Sequence, residues 1–483
     1  MILPASYNKH LDLNLNNNPL SESIQVELSN EKLIDSLTIL PNAQENYWQL
    51  PEIYQMSQLR QLSVVNSPHP YTQALYNKVM SLKLFGYTHR NPFSADTVKI
   101  HSNISHSLRE KKLYKPENYP GLAPTTAPSV LVSGESGTGK TTLIRSVLSK
   151  TPQAVEHSSY KGTPFNKKQL NWLSIDMPAT GSPKALCANF FKAVDDVLGT
   201  EHKKEWVDKN KFGADVMFGA VQHVAMKHFL GLIHIDELQF ILGYKKAEHS
   251  PSLQLLESLF NKIGIPVILS CTRQGVDLFQ TLKEDDHRIG HDITIVRRML
   301  SDRQFVLGLN KFDSKHFNTL FNALFPRAFI LDTNTTRLEE FRSEFHRLSC
   351  GLPAIMTRLA LLHHEAVQHD FNKVTDQSKG FTTLSPELLR VVYDQQFSLI
   401  DPALIALRKH NPEKFESLIR DKSTKKPTYS NSEKLEAENV AKLQQSNPTK
   451  VLKTDDNSKG TVASVFSDLS SDEFLQGIGN DEQ

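Results

Sequence analysis

From Ser129 to about Leu309 the chain alternates between short apolar runs and amphipathic stretches. Strand-length apolar runs lie at Val130–Ser133, Leu170–Ile175, Leu230–Ile235, Pro266–Cys271 and Phe305–Leu309. Between them, apolar residues recur at helical spacing in stretches that include Thr142–Leu148, Pro183–Leu198 and Ser252–Ile263. This alternation predicts an α/β fold with a parallel sheet covered by helices on both faces, because consecutive parallel strands need a crossover and a helix supplies it. Beyond Lys311 the strand-type runs stop. Helical spacing near His316–Leu324, Arg337–Leu348 and Pro353–Gln368 predicts a helical lid, extended by helices near Pro386–Ser398 and Pro402–Ile419.

The flanks read differently. Residues 1–68 are polar, with an Asn-rich patch from Asn14 to Asn18, and predict an N-terminal extension holding short helices at most. Leu75, Val79, Leu82 and Phe85 follow a helical period from Tyr71 to Phe85, and Gly86 is expected to stop that helix. A loop opening at Arg90-Asn91-Pro92 and a polar connector complete a segment 69–127. The α/β core is assigned to 128–311 and the lid with its C-terminal helices to 312–420. Residues 421–483 are rich in Ser, Lys, Asn, Asp and Glu and predict a flexible tail. Its end, Thr461–Gln483, carries Asp468, Asp472, Glu473, Asp481 and Glu482 with no Lys or Arg, interleaved with Phe466, Leu469, Phe474 and Leu475. Both a solvated tail and a short docking peptide that folds on a partner fit that composition.

Composition changes the picture little. With 483 residues, 39% hydrophobic and 22% charged, the chain is long enough for two or three domains and a sizeable core. No stretch approaches the roughly 18–20 apolar residues of a membrane span. The first ten residues have neither a basic nor an apolar segment of a secretory signal. Cys187, Cys271 and Cys350 are widely spaced and form no C-x-x-C pair, which points to a reducing cytosol and to no zinc ribbon. A net charge of +2 leaves any nucleic-acid contact to a local patch.

The chemistry concentrates at Gly134, Glu135, Ser136, Gly137, Thr138, Gly139, Lys140 and Thr141, which fit G-x-x-x-x-G-K-[ST] between a predicted strand and a helix that continues with Thr142. Glycines let the backbone aim successive N–H groups at phosphate oxygens, and the helix N-terminus favours the anion. Lys140 is placed to reach β- and γ-phosphates and Thr141 to ligate Mg²⁺, so ATP and Mg are the expected cofactors. At the end of another apolar run, Asp236 is assigned to the magnesium shell and Glu237 to the attacking water. Thr272, with Ser270 as the alternative, follows the next run and is placed to sense the γ-phosphate or to cap the helix after it. Arg297 and Arg298 precede the last core strand, where an arginine acts as a finger on a neighbour's nucleotide or lies on a solvated surface. Arg358 stands one turn into the lid helix after Gly351. Two motifs compete. Asn310-Lys311-Phe312-Asp313 matches the guanine-reading N-K-x-D and makes a GTPase the enzyme alternative, but Glu237-Leu238-Gln239 follows Asp236 where a GTPase has a glycine. His364-Glu365 lacks the second histidine of H-E-x-x-H, since position 368 is Gln.

Taken with their flanks, these residues resemble TnsC, the AAA+ ATPase regulator of TnsA/TnsB-type transposons and a relative of TniB. The resemblance runs from about Tyr71 to Ile419 through Phe85-Gly-Tyr-Thr-His-Arg-Asn-Pro92, the phosphate loop, Asn189–Gly199, Ile235-Asp-Glu-Leu-Gln239, Gly264–Leu269, Leu348-Ser-Cys-Gly351 and Pro402–Arg408. It implies an AAA+ P-loop core with a helical lid, Thr272 as sensor, Arg297 or Arg298 as finger and Arg358 at the basic lid position. Cys271 replaces the small residue usual before the sensor, the surroundings of Arg297 are weakly similar, and the tail departs from the pattern. The family implies ATP-dependent rings or filaments on duplex DNA. Its implied partners are a TnsD/TniQ-like target selector and TnsA/TnsB-like transposase subunits, in a bacterial cytoplasm and without membrane. DNA contacts would be chiefly to phosphates, with Ser182 and Lys184 at a helix start as first candidates and Lys203, Lys204, Lys209 and Lys211 as weaker ones.

Overall fold

The computed structural model describes residues 2–119, 127–209, 212–243, 252–276, 303–332, 335–373 and 381–424. The N-terminal stretch contributes a strand β1 (Leu3–Pro4) and helices α1 (Pro19–Glu22), α2 (Asn30–Leu37) and α3 (Glu52–Arg60), followed by α4 (Thr72–Thr88) and α5 (Ala95–Arg109). The α/β part runs β2 (Ser129–Gly134), α6 (Lys140–Leu148), β3 (Ala154–Tyr160), β4 (Thr163–Leu170), β5 (Leu173–Asp176), α7 (Pro183–Leu198), α8 (Ala214–Lys227), β6 (Ile233–Asp236), α9 (Leu253–Leu259), β7 (Val267–Cys271) and β8 (Arg303–Leu307). Helices α10 (Lys315–Leu324), α11 (Thr335–Ser349), α12 (Pro353–Lys373), α13 (Pro386–Gln396), α14 (Asp401–Arg408) and α15 (Pro412–Thr424) follow.

Five strands form one parallel sheet in the order β5-β6-β7-β2-β8. Every residue of β2 and of β7 is buried, the near-continuous apolar pattern of a parallel strand covered on both faces. One face packs on α7, α8 and α9 through Phe190, Phe191, Phe218 and Phe260, and the other on α4 and α6 through Val79, Ile144 and Val147. The lid has a core of its own, dense in phenylalanine: Phe317, Phe321, Phe325, Phe341 and Phe345.

Several expectations are corrected. The run Leu170–Ile175 is not one strand: Leu170 closes an antiparallel hairpin of β3 and β4, Asn171 and Trp172 break the backbone, and β5 starts at Leu173. The hairpin turns at Lys161 and Gly162, both at positive φ (49° and 81°), and forms a second sheet with β1. Gly86 does not stop α4, which continues to Thr88; a Cβ there would lie 3.1–3.2 Å from Arg90, Gly264 and Pro266, so the glycine serves close packing. The connector after Asn91 contains α5, capped by the Ser94 hydroxyl, which accepts from the Thr97 N–H. Pro402–Ile419 divides into α14 and α15 because Asn411 precedes Pro412, a position that disfavours helical backbone.

The N-terminal stretch carries short helices as expected, and it docks at several points. Leu20, Ile24, Leu33 and Leu37 join the sheet's core, whereas Tyr47, Leu59 and Leu62 join the lid's. Buried polar bonds fix it: Tyr160 donates to Glu22 at 2.8 Å, and the Asn18 amide donates to the Tyr87 carbonyl at 2.7 Å.

On α4, Lys83 is fully enclosed, and its ammonium donates to the Thr151 hydroxyl at 2.8 Å. Burial pushes its pKa down to about 7. Between there and the unfolded value of ~10.4, the unfolded chain holds a proton that the folded protein has released, so this group makes stability rise with pH across that window. Replacing Lys83 with Met should raise stability by roughly 2–4 kcal/mol at pH 6 and remove most of the gain between pH 7 and 10. Urea unfolding of both proteins at pH 6, 8 and 10 checks this, and parallel pH curves for the two would refute it.

Candidate functional site

The parallel sheet ends β2, β6 and β7 on a single edge, and the candidate chemistry gathers there. After β2 the chain turns through Gly134–Gly139 into α6. Gly139 is the N-cap of α6 at φ 87°, backbone that L side chains adopt rarely. The Lys140 ammonium donates to the Gly134 and Glu135 carbonyls at 2.9 and 3.0 Å. The Thr141 hydroxyl donates to Asp236 at 2.5 Å. The Ser136 N–H donates to the carboxylate of Glu416, far along the chain, at 2.7 Å.

Asp236 ends β6 beside Ser270 of β7. Ser270 donates its single hydroxyl hydrogen to Asp236, so it accepts from His234, whose Nε2 lies 2.8 Å away. The imidazole Nδ1 is then the acceptor for Ser174, at 2.9 Å. Burial alone would raise the Asp236 pKa; His234 and the hydrogen bonds from Ser270, Thr141 and the Glu237 N–H outweigh it, and the net shift is downward. Glu237 moves the other way, raised by burial and then by the charge of Asp236. Its backbone is left-handed (φ 56°), and its carboxylate accepts from the Gln239 amide. Non-glycine residues in this region are uncommon and concentrate where surrounding structure imposes a conformation. The two adjacent carboxyl groups are thus tuned apart, one toward the ionised form and the other toward the protonated form.

A cleft of about 840 Å³ opens over the loop. Ser136–Thr142 line its floor, Glu237 and Thr272 one wall, and Pro353, Ala354, Thr357 and Arg358 of α12 another. The Thr272 hydroxyl is buried without a hydrogen-bond partner among the described residues, while its N–H donates to Gln239 at 3.1 Å. Residues 124–279 match the family model described as an AAA domain. The matched stretch has the fold of an AAA domain, a parallel sheet flanked by helices. Among solved structures the chain is similar to a Walker-type ATPase of Pyrococcus abyssi, at 14% identity over 67% of this chain and 84% of that one, with a TM-score of 0.35. It is also similar to the Drosophila ORC bound to DNA, at 11% identity over 81% of this chain and 92% of that one, with a TM-score of 0.33. No curated protein matches it.

The AAA domain therefore brings Gly134–Thr142, Asp236, Glu237 and Thr272 to one place. Glu135 faces Arg273 at 3.5 Å. Arg358 borders the cleft, with its guanidinium 4.9 Å from the Phe397 ring and donating to the Gln396 carbonyl at 3.3 Å. Arg297 and Arg298 lie outside the described residues, as do Lys211 and the acidic end of the tail. Ser182 caps α7 by accepting from the Ala185 N–H, and Lys184 beside it is exposed. Lys203 pairs with Asp208 at 3.1 Å and Lys204 with Glu201 at 2.7 Å, so each carries its own counter-charge. The N-K-x-D segment lines no part of this cleft: the Asn310 carbonyl bonds His346, and Asp313 pairs with Arg342 at 3.0 Å. His364 is buried with Nε2 3.0 Å from the Leu324 carbonyl, and no cluster of three or more metal-type ligands occurs among the described residues.

Sequence reasoning missed the far wall of the cleft. Ser63–Ser67 and His69 of the N-terminal stretch line it together with His316, Leu320 and Leu361 of the lid. The His69 and His316 rings meet edge to face at 5.3 Å, and burial, then the neighbouring His316, pushes His69 down to about 4. A polar stretch with no periodicity gives no hint that it faces a site. His234 and Glu416 were missed too, since each acts through contacts distant in sequence.

One seat of the lid on the loop is the turn at Gly351. Gly351, at φ 66°, accepts from the Asn310 N–H at 3.1 Å, and two residues later α12 begins and its Ala354 N–H reaches the Gly137 carbonyl at 3.3 Å. A Cβ at Gly351 would sit 2.1 Å from the Asn310 carbonyl oxygen. Gly351→Ala should destabilise the protein by about 2 kcal/mol or more, through backbone strain and displacement of the turn. Denaturant unfolding measures this, and a loss below about 0.5 kcal/mol would show that the turn relaxes freely.

Proposed function

We propose that this chain is an ATP-dependent regulator of transposition that assembles as a ring or filament on duplex DNA. In this reading it connects a TnsD/TniQ-like target selector to TnsA/TnsB-like transposase subunits in a bacterial cytoplasm. The observation that carries the ATP-dependent part is the convergence, in one cleft, of the phosphate loop, the Asp236–Glu237 pair and the unpartnered Thr272 hydroxyl. The transposition part rests on the TnsC-like segments that flank this machinery. No helix among the described residues is long and apolar enough to cross a membrane.

The residues fit the cofactors. A hydroxyl and a carboxylate oxygen held 2.5 Å apart at Thr141 and Asp236 are hard donors, suited to a magnesium ion that keeps its remaining ligands as water and phosphate. When bound, Mg²⁺ neutralises charge on the phosphate oxygens. Lys140 exchanges the Gly134 and Glu135 carbonyls for phosphate. Glu237, with its raised pKa, orients the attacking water and takes its proton; Thr272 donates to the terminal phosphate from its buried wall. The histidine- and leucine-lined wall suits a purine base, and the N-K-x-D side chains, Asp313 paired with Arg342, do not line the cleft to read a guanine. Arg297 or Arg298 would complete the site from a neighbouring subunit. On the DNA side Ser182 and Lys184 are the leading contacts, because the carboxylates beside Lys203 and Lys204 weaken their pull on phosphate.

Filter retention or microscopy with duplex DNA should show ATP-dependent assembly that weakens steeply with salt. Lys140→Ala should abolish both nucleotide binding and assembly. Glu237→Gln should cut hydrolysis by about 10²–10³-fold while preserving assembly. Equal DNA binding with and without ATP would sink the assembly claim, and wild-type turnover in Glu237→Gln would remove the base assignment.

A further inference from the structure

The loop that receives phosphate in the reading above is engaged here by a carboxylate of the same chain. Glu416 lies in the first turns of α15, is 2% exposed, and accepts from the Ser136 N–H at 2.7 Å. Lys140, four residues on at the start of α6, has its pKa lowered by burial; among the acids that oppose this, Glu416 comes ahead of Glu237 and Asp236. The carboxylate thus occupies a loop amide, one of the kinds of donor a phosphate would use, and its charge favours the protonated form of the loop lysine.

This placement is built by the lid. Phe415, the residue before Glu416, is 2% exposed in the lid core. The preceding α14 is tied down by Arg408, which donates to the Arg347 and Leu348 carbonyls at 3.2 and 3.3 Å and pairs with Asp401 at 3.3 Å. His410, at φ 54°, then turns the chain into α15. Burying a carboxylate is costly unless donors meet it, and an anion-binding loop meets it well.

We propose that α15 is a self-supplied plug of the phosphate loop, whose Glu416 carboxylate must leave the Ser136 N–H when a nucleoside triphosphate binds, so that nucleotide entry releases α15 from the loop. The inference rests on the reading of the loop as a triphosphate site. It gives that site a built-in competitor: a site open only a tenth of the time binds about tenfold more weakly than its intrinsic affinity. It also gives the lid a nucleotide-dependent position at its C-terminal end.

The test uses the full chain as wild type, E416Q, and K140A. Titration with a fluorescent ATP analogue should show E416Q binding about tenfold tighter than wild type, a gain that misfolding cannot produce. Hydrogen exchange over residues 412–424 should rise in the wild type on adding ATP. In E416Q it should already be high without nucleotide. If E416Q binds like wild type and ATP leaves 412–424 equally protected, the plug is wrong while the nucleotide site stands, provided K140A has lost binding. If wild type and K140A are alike in failing to bind ATP, the triphosphate reading falls and the plug with it. Should E416Q not fold, E416D, one methylene shorter, is expected to tighten binding in the same direction, and unchanged affinity in it would overturn the plug.

Discussion

Parallel pairing ends every strand of the main sheet on one edge, and this register is what the candidate site depends on. Ile235 pairs with Leu269 and Ser133 with Cys271, so β6, β7 and β2 end in steps of one residue along the same edge. Asp236 then stands beside Thr141, and Thr272 stands between the strand that enters the loop and the strand that ends in carboxylates. Side chains alternate faces along a strand, so a one-residue slip of β6 would turn Asp236 away and bring Ile235 toward the loop. Burial on both faces prevents that slip, since it would also exchange Ile233 and Ile235 for His234 in the apolar core.

The same register buries a polar chain, Ser174 to His234 to Ser270 to Asp236, inside the sheet. Each member is satisfied, which a buried polar network requires. Burial pushes His234 down to about 4, so the imidazole is neutral near pH 7 and acts as a fixed donor to Ser270. The network leaves Asp236 ionised and aimed at Thr141. Glu237, one residue on, escapes the network because its left-handed backbone turns it out toward the cleft. Two adjacent carboxylates thereby acquire opposite tendencies from a single strand end.

The sheet was legible in the sequence because doubly buried strands read as continuous apolar runs, and the phosphate loop because its glycines and lysine are local. The β3–β4 hairpin was not, since its burial alternates irregularly and its Lys161-Gly162 turn lacks the usual Asn-Gly or Asp-Gly signature. Gly86 misled because a glycine that permits close helix packing looks, in one dimension, like a helix stop. The N-terminal stretch misled for another reason: it is anchored by Glu22 and Asn18 through buried hydrogen bonds, and polar residues that make such bonds look like solvent-facing ones. Glu416 has no local signal at all, because its partner Ser136 is 280 residues away.

The loop is held from several sides by one body. Ala354 touches Gly137 from the start of α12, and Glu416 reaches Ser136 from α15. Both helices contribute to the aromatic lid core, where the rings of Phe321, Phe325, Phe341 and Phe345 meet, several of them edge to face, at 4.7–6.4 Å. Close-packed aromatic cores do not deform smoothly; they shift as units. A change at either contact is therefore a change in the seating of the whole lid, and Tyr47, Leu59 and Leu62 tie the N-terminal stretch to the same core. That stretch lines the same cleft through Ser63–Ser67 and His69, so residues from both ends of the described chain meet there. The loop is therefore bonded at two points, Gly137 and Ser136, by helices that share one packed core.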